Sequence, residues 1–539
     1  MNSSRFRTIA ALLAFLAAPL GAQSLLHFHL QTPQVRSIEG LAQRIHNGEL
    51  HLTLRDFLQL VLANDTEVQL LQLNDSTARF GVISAQSPFD PSLTASFAPT
   101  RSVTPQATQI SGASTLSSLS QRSSVGYTQV LPSGQSVTAA FDTNRSSSNA
   151  AFNTFNPSLS SGVTFSFTQD LLQNRGGLQY TAPLQIAKIQ VLVVGDQTRA
   201  SLATDINNAA VQYWTTVQAR DQITVQQDAL KLAQSSYDLN RHMLDLGALA
   251  PGGIYTSQAQ VAQDQTAVLQ AQSNYEQQLD QLRRLIGADL DPAAEHATII
   301  LDDDPSAVTP TAPSMSVNAA IQAALLHRPE LDAIHRQLLE SKTSLAMDRD
   351  ALRPQLNLTG TYGSNGLAGD QVATVTPLGS VVGGSSSGFG NALGQVFGFG
   401  SPTYGFSLNL TLPLRNSRVE AQMANDLTTQ TSYALNARNE EQQIRQDVRL
   451  ADTQVRMAVA EIKSAVTARD LSQKNVDYEQ QEYLLGATTE FELLQAQVQL
   501  SQAQSSVLSA FTSYQEARIA YERAIWTLLP SMGLKLQQP

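Results

Sequence analysis

The sequence repeats itself once at long range, and that repeat limits the fold more than composition does. Leu246, Gly247 and Ala248 close a long helical run and precede Gln258-Ala259-Gln260-Val261. Leu485, Gly486 and Ala487 close a second run and precede Gln495-Ala496-Gln497-Val498. Each marker holds the same place in a series of short helix, strands, very long helix, turn and return helix. A repeat of roughly 240 residues built from long hairpins implies an elongated, pseudo-symmetric object, because such helices cannot bury their apolar stripes in one globule. Function should then follow from shape.

The first helix is predicted from Leu54 to Ser87, with Thr53 as N-cap and apolar Leu54, Phe57, Leu58, Val61 and Leu62 on one face. Pro88 ends it. Alternation then marks strands in Leu93 to Phe97, Val125 to Val130, Val137 to Phe141 and Val163 to Phe167, with a turn at Pro132-Ser133-Gly134. Leu184 to Leu246 reads as one helix of about 95 Å, rich in Ala and Gln and free of proline. A return helix follows over about Ile254 to Ile286, and then an acidic, proline-containing segment, Asp289 to Pro313.

The second repeat begins with a helix over Val317 to Leu352 and a strand over Gln355 to Tyr362. A Gly/Ser-rich stretch, Gly363 to Pro402, is expected to be a flexible, solvated loop, and Tyr404 to Leu412 a strand. The second long helix covers Ser417 to Leu485; Ile444, Val448, Ala451, Val455, Val459, Ile462 and Val466 have the spacing that packs helices side by side. A return helix over Phe491 to Leu529 closes the chain.

Residues 1–22 read as an export signal, with Arg5 and Arg7 before an apolar stretch and Gly21-Ala22 at the cleavage region. Losing those two arginines takes the net charge from −11 to −13, which argues against a nucleic-acid partner. No later stretch approaches ~18 uninterrupted apolar residues, so membrane contact requires strands rather than a spanning helix. With no cysteine there is no disulfide and no thiolate site. The remaining divisions are an N-terminal extension (23–50), a first repeat (51–290), an acidic equatorial linker (291–315), a second repeat (316–530) and a tail (531–539).

On these residues the chain resembles the TolC-like outer-membrane efflux protein family. The matching features are Leu52 to Glu67 against Val317 to Glu330, the strand-to-helix junctions Phe165 to Leu172 and Leu408 to Leu414, and the two Gly-to-Gln-Ala-Gln tips. The resemblance implies a mainly α fold with a β-barrel portion: duplicated long-helix hairpins form a trimeric α-helical tunnel joined to an outer-membrane β-barrel. It implies twelve strands and twelve helical rods per homotrimer, located in the outer membrane with a large periplasmic portion. The implied role is a passive exit duct of a tripartite efflux or type I secretion system. Its implied partners are outer-membrane lipid, a periplasmic adaptor (membrane fusion) protein, an inner-membrane pump and copies of itself. No enzymatic step, cofactor or metal is expected. The rival reading is a soluble periplasmic adaptor or coiled-coil scaffold, which also has long hairpins but lacks strands beside both of them.

The sequence departs from the family in three places. Pro413-Leu414 fits the junction, but the first repeat reads Gln169-Asp170-Leu171. The first half carries an extra hairpin, Val125 to Phe141, which either lengthens the barrel wall or forms an outer flap, the flap being the favoured reading. Glu492 falls where the family places an acid lining the closed tip, while the equivalent position of the first repeat is Tyr255.

Glu492, Glu490, Asp245 and Tyr483 are the candidate gate residues, because symmetry would bring identical side chains together on a pore axis. For Glu492 and Glu490 a second reading stands, as acids favoured at a helix start by the dipole. Gly247 and Gly486 are candidates for tip turns and adaptor docking, although the favoured reading is as ordinary C-cap glycines. Tyr483 matches an aromatic at the family's gate, or packs between helices. Gly384-Ser385-Ser386-Ser387-Gly388 satisfies a hydrolase nucleophile pattern without its strand-turn-helix context, and Asp302-Asp303-Asp304 reads as a solvated run.

Overall fold

The computed structural model describes residues 37–533 apart from 39, 107–111, 152, 248–251, 293, 373, 376–380 and 383. The expected signal (1–22), the start of the extension, residues 248–251 of the first tip and the end of the tail lie outside the described residues.

Each repeat opens with a helix that is broken near its start. α1 (Leu54–Asn64) and α2 (Thr66–Gln86) part at Asp65, where periodicity predicts one helix. Asp65 is extended and its carboxylate accepts the N–H of Glu67 at 2.9 Å, so it caps the second helix as it ends the first. α5 (Val317–His327) and α6 (Pro329–Ala351) part at Arg328, which Pro329 forces out of the helical region. A one-residue break barely disturbs the apolar rhythm, so periodicity alone misses it.

The long helices are α3 (Leu178–Asp245) and α8 (Ser417–Leu484), each of 68 residues. At ~1.5 Å per residue each spans about 100 Å. Their return helices are α4 (Ile254–Leu285) and α9 (Glu490–Ala524), and the short α10 (Leu528–Ser531) ends the described fold. α3 lies against α2 and α6 as well as α4 and α9, while α8 is flanked by α5, α6 and α9.

Both cores sit at mid-length of the long helices. Around α3, Ile206, Tyr213 and Val217 pack with Phe57, Leu58 and Val61 of α1, Leu282 of α4 and a small sheet. That sheet is β1 (Ile45–His46), β2 (Glu49–Leu52) and β7 (Thr298–Leu301), with β7 parallel to β2. Around α8, Ile444, Val448, Ala451, Val455 and Ile462 pack with Ile321 of α5 and Tyr514 and Tyr521 of α9. Burying each such aliphatic side chain contributes roughly 1.5–3 kcal/mol.

The acidic segment is built into this equator rather than being simply a solvated run. Asp303 accepts the Leu54 N–H at 2.6 Å and so caps α1, and the Tyr213 hydroxyl lies 2.8 Å from the same carboxylate. Burial and the Asp303 charge push the Tyr213 phenol upward. Asp302 meets His51 at 3.0 Å.

At one end of the helices lies an antiparallel sheet with β3 (Ser92–Pro105), β4 (Thr115–Val130), β5 (Gln135–Ser148), β6 (Phe155–Asp170), β8 (Gln355–Gln371) and β12 (Pro402–Thr411) side by side in that order. Minor strands β9 (Thr374–Val375), β10 (Val381–Val382) and β11 (Ser386–Ser387), and helix α7 (Phe389–Phe397), lie between β8 and β12 in sequence. The register places Leu93, Ala95, Phe97, Val125, Tyr127, Val137, Phe141, Val163, Phe165, Phe167, Tyr362, Tyr404, Phe406 and Leu408 on one face. Thr94, Ser96, Ser124, Thr138, Thr164, Ser166, Thr361, Ser407 and Asn409 take the other. One side suits lipid and the other a wet lumen.

Two expectations are corrected here. The extra hairpin is not a flap: β4 and β5 pair along their length with β3 and β6 and carry both faces onward. The Gly363 to Pro402 stretch is not a free loop. Its first part continues β8 as far as Gln371, and α7 packs on the apolar face, where Phe397 stacks on Phe141 at 6.4 Å and Ala392 and Val396 are buried. A segment without one charged side chain between Asp370 and Arg415 gains by covering that face instead of entering water.

Candidate gate and tip site

The helical tips lie at the opposite end from the sheet. α3 and α8 both terminate in a glycine with positive φ, Gly247 at 74° and Gly486 at 69°. The Gly247 N–H donates to Leu244 O at 3.0 Å and the Gly486 N–H to Tyr483 O at 3.0 Å, which closes the last turn in each case. A Cβ at either position would meet nothing within 4 Å, so the glycines are required by the backbone and not by space.

Just inside the tips, one polar cluster joins four helices. The Tyr483 hydroxyl of α8 donates to Asn240 Oδ1 of α3 at 2.6 Å, and Asn240 Nδ2 donates to Glu490 Oε1 of α9 at 2.7 Å. Ser257, in the first turn of α4, lies beside the same carboxylate and favours its charged form, while its hydroxyl donates to Ile254 O at 3.1 Å. The first N–H groups of a helix lack intrahelical partners, so the Glu490 carboxylate suits its place beside the first turn of α4 while standing at the start of α9. Asn240 and Ser257 are completely buried.

Burial pushes the Glu490 carboxyl above its usual range, against the influence of Ser257 and the hydrogen bond from Asn240. Burial also raises the Tyr483 phenol, with the Glu490 charge adding to it. Next along the hairpins toward the equator, Gln497 Nε2 donates to Ser236 Oγ at 2.9 Å, a second polar tie between α9 and α3.

The structure thus brings Tyr483 and Glu490 together and leaves Glu492 and Asp245 apart from them, exposed near the ends of α9 and α3. The Glu492 N–H donates to Thr489 Oγ1 at 3.4 Å in the first turn of α9, which is compatible with either a helix-end acid or a pore-facing carboxylate. Asn240 and Ser257 escape sequence reasoning. Asn240 follows Ala233 and Ser236 at three- and four-residue steps on the buried stripe of α3, and a polar residue continuing such a stripe is the only signal available. The Ser386 hydroxyl donates to Asp370, and Ser386 lies within the short strand β11 paired to β8 and not on a turn between a strand and a helix, so the nucleophile context stays absent. Among the described residues there is no cluster of three or more His, Cys, Asp or Glu placed to hold a metal, and no helix long and apolar enough to cross a membrane.

A sheet with one apolar and one polar face joined to paired hairpins of equal length narrows the comparison to channel folds. Residues 320–525 match the outer membrane efflux protein family. Over more than nine-tenths of its length the chain has the fold of solved outer-membrane channels. It is similar to CusC (TM-score 0.64, 15% identity, 92% of this chain and 99% of that chain covered), whose crystal structures concern folding and transmembrane channel formation. It is similar to the Campylobacter jejuni CmeC outer membrane channel (TM-score 0.61, 15% identity, 95% and 92% covered). It is also similar to the open state of the Neisseria gonorrhoeae MtrE outer membrane channel (TM-score 0.59, 16% identity, 93% and 95% covered). No curated protein sequence matches the chain. The outer membrane efflux match lies in the second repeat, and the first repeat has the same order of principal helices and long strands, with two long strands added and β9, β10, β11 and α7 without counterparts.

Proposed function

We propose that the protein is the outer-membrane channel-tunnel of a tripartite efflux or type I secretion assembly, a passive exit duct for substrates delivered by an inner-membrane pump. The observation that carries this reading is the junction itself: a two-faced antiparallel sheet stands on two 68-residue helices, and each repeat supplies strands to it. An adaptor or scaffold needs hairpins but no such sheet. Copies of the chain are also called for by α8. Its buried stripe is used within the chain, yet Leu450, Met457, Leu471 and Tyr478 are exposed at multiples of seven residues, the spacing of a helix seam awaiting a partner. Three copies would line a tunnel with the two long helices of each.

In that assembly the Gly247 and Gly486 turns present the tips to an adaptor, and Glu492 and Asp245 lie where identical carboxylates from three copies would face the axis. The Tyr483–Asn240–Glu490–Ser257 cluster holds the two hairpins of each copy together behind them. The purified protein in a planar bilayer should conduct ions with cation preference. Recovery in the soluble periplasmic fraction, with no channel activity on reconstitution, would refute the duct.

A further inference from the structure

We propose that the barrel closes with eighteen strands and not twelve, with the free edges of β3 and β12 forming the seam between copies of this chain. The inference rests on the trimeric reading above; each chain supplies six long strands.

The added hairpin is a structural part of the wall. β4 pairs with β3 from Thr115 to Thr128 and with β5 from Ser118 to Val130, and β5 continues onto β6 from Gln135 to Ser146. Val125, Tyr127, Val137, Ala139 and Phe141 extend the apolar face, and Ser124, Thr138, Ala140 and Asp142 the opposite face. Its turn is fixed at the helical end. Gly134, at a φ of 87°, approaches Gly177 at the start of α3 so closely that a Cβ would lie 2.6 Å from the Gly177 nitrogen. A hairpin held there cannot swing outward without breaking this contact and two ladders.

The two edges of the sheet point to a second copy. Every residue of β3 and of β12 is exposed, whereas most of β5 is half-buried. β12 carries no charge and β3 a single one, Arg101, so neither edge has the run of charged residues that discourages strand pairing. Unpaired backbone groups in lipid cost several kcal/mol each, so both edges must be closed. The strand count makes closure possible. With an even number of antiparallel strands, β12 runs opposite to β3, and a copy related by rotation meets it antiparallel.

Barrel diameter grows about linearly with strand number, so eighteen strands give a lumen about 1.5 times as wide as twelve. Strands ~4.8 Å apart and tilted by about 40° give a circumference of about 110 Å. A ring of twelve helical rods at ~8–10 Å spacing measures about 100–120 Å. The barrel then continues the tunnel without narrowing, and the helical tips alone decide what passes.

Electron cryo-microscopy of the full-length protein in lipid nanodiscs should show a three-fold barrel of eighteen strands, with β4 and β5 in the wall. A three-fold barrel of twelve strands with that hairpin outside would overturn the proposal while leaving the duct intact; a particle without three-fold symmetry would instead sink the trimer. The absence of native cysteine permits a second test. In whole trimers, a water-soluble maleimide should label Ala140→Cys and leave Ala139→Cys unmodified. Equal labelling of both by the water-soluble reagent would place the hairpin outside the wall.

Discussion

Glu490 accepts a hydrogen bond from α3 and lies beside Ser257 of α4 while standing at the start of α9, so its ionisation bears on how the tips hold together. Its folded-state carboxyl is raised above the ordinary value, so the folded chain binds the proton more readily than the unfolded one. That group's contribution is therefore most favourable at low pH and is lost as pH rises from the ordinary carboxylate range through the raised value. Glu490→Gln, which keeps an acceptor for Asn240, should raise the melting temperature at neutral pH and flatten its dependence on acid; calorimetry across that window checks both. Glu490→Ala should lower stability by about 1–3 kcal/mol, because it strands the buried Asn240 amide. Glu492→Gln should change conductance or cation preference in a bilayer with little effect on melting. An unchanged channel with lower stability would make Glu492 a helix-end acid only. The tip glycines were legible because αL turns demand glycine. Asn240 and Ser257 were not, because a polar residue on an Ala-rich stripe looks the same whether it faces solvent or three other helices.

At the scale of elements, α7 is where composition misled most. A run rich in Gly and Ser reads as a loop, but its lack of charge and the small residues beneath it let a helix seat on the sheet: a Cβ on Gly366 would lie 2.1 Å from Ala392 O. Removing residues 389–397 should therefore lower the thermal stability of the assembled protein, by uncovering Phe141 and the buried Ala368, and not leave it unchanged as a free loop would. Dissociation on heated gels measures this. The long helices, by contrast, were plain in the sequence. Two proline-poor runs with a three-and-four apolar rhythm specify them, and the stripe from Ile444 to Ile462 became the seam it predicts. Strand ends were harder to read. β6 carries Ser158, Ser160 and Ser161 near its start, where polar residues on both faces erase the alternation. Ile444→Ala, in the seam, should cost about 2–5 kcal/mol, read from denaturant melts in detergent.

For the whole molecule, the duplicated order of elements carried the fold from the outset, because two hairpins of equal length make sense only as repeated staves of a tube. What the sequence left open was how many strands each stave supplies, since the hairpin of β4 and β5 has the same weak alternation whether it lies in the wall or outside it. The sheet's register decides that for one chain, and the free edges of β3 and β12 with the exposed stripe of α8 ask for copies on both sides. On the proposed reading these features are satisfied together when three copies close a ring in the outer membrane. Light scattering on the detergent-purified protein measures this most directly. A protein mass of three chains after subtraction of detergent is the predicted result; a monodisperse mass of one chain, stable on dilution, would contradict it.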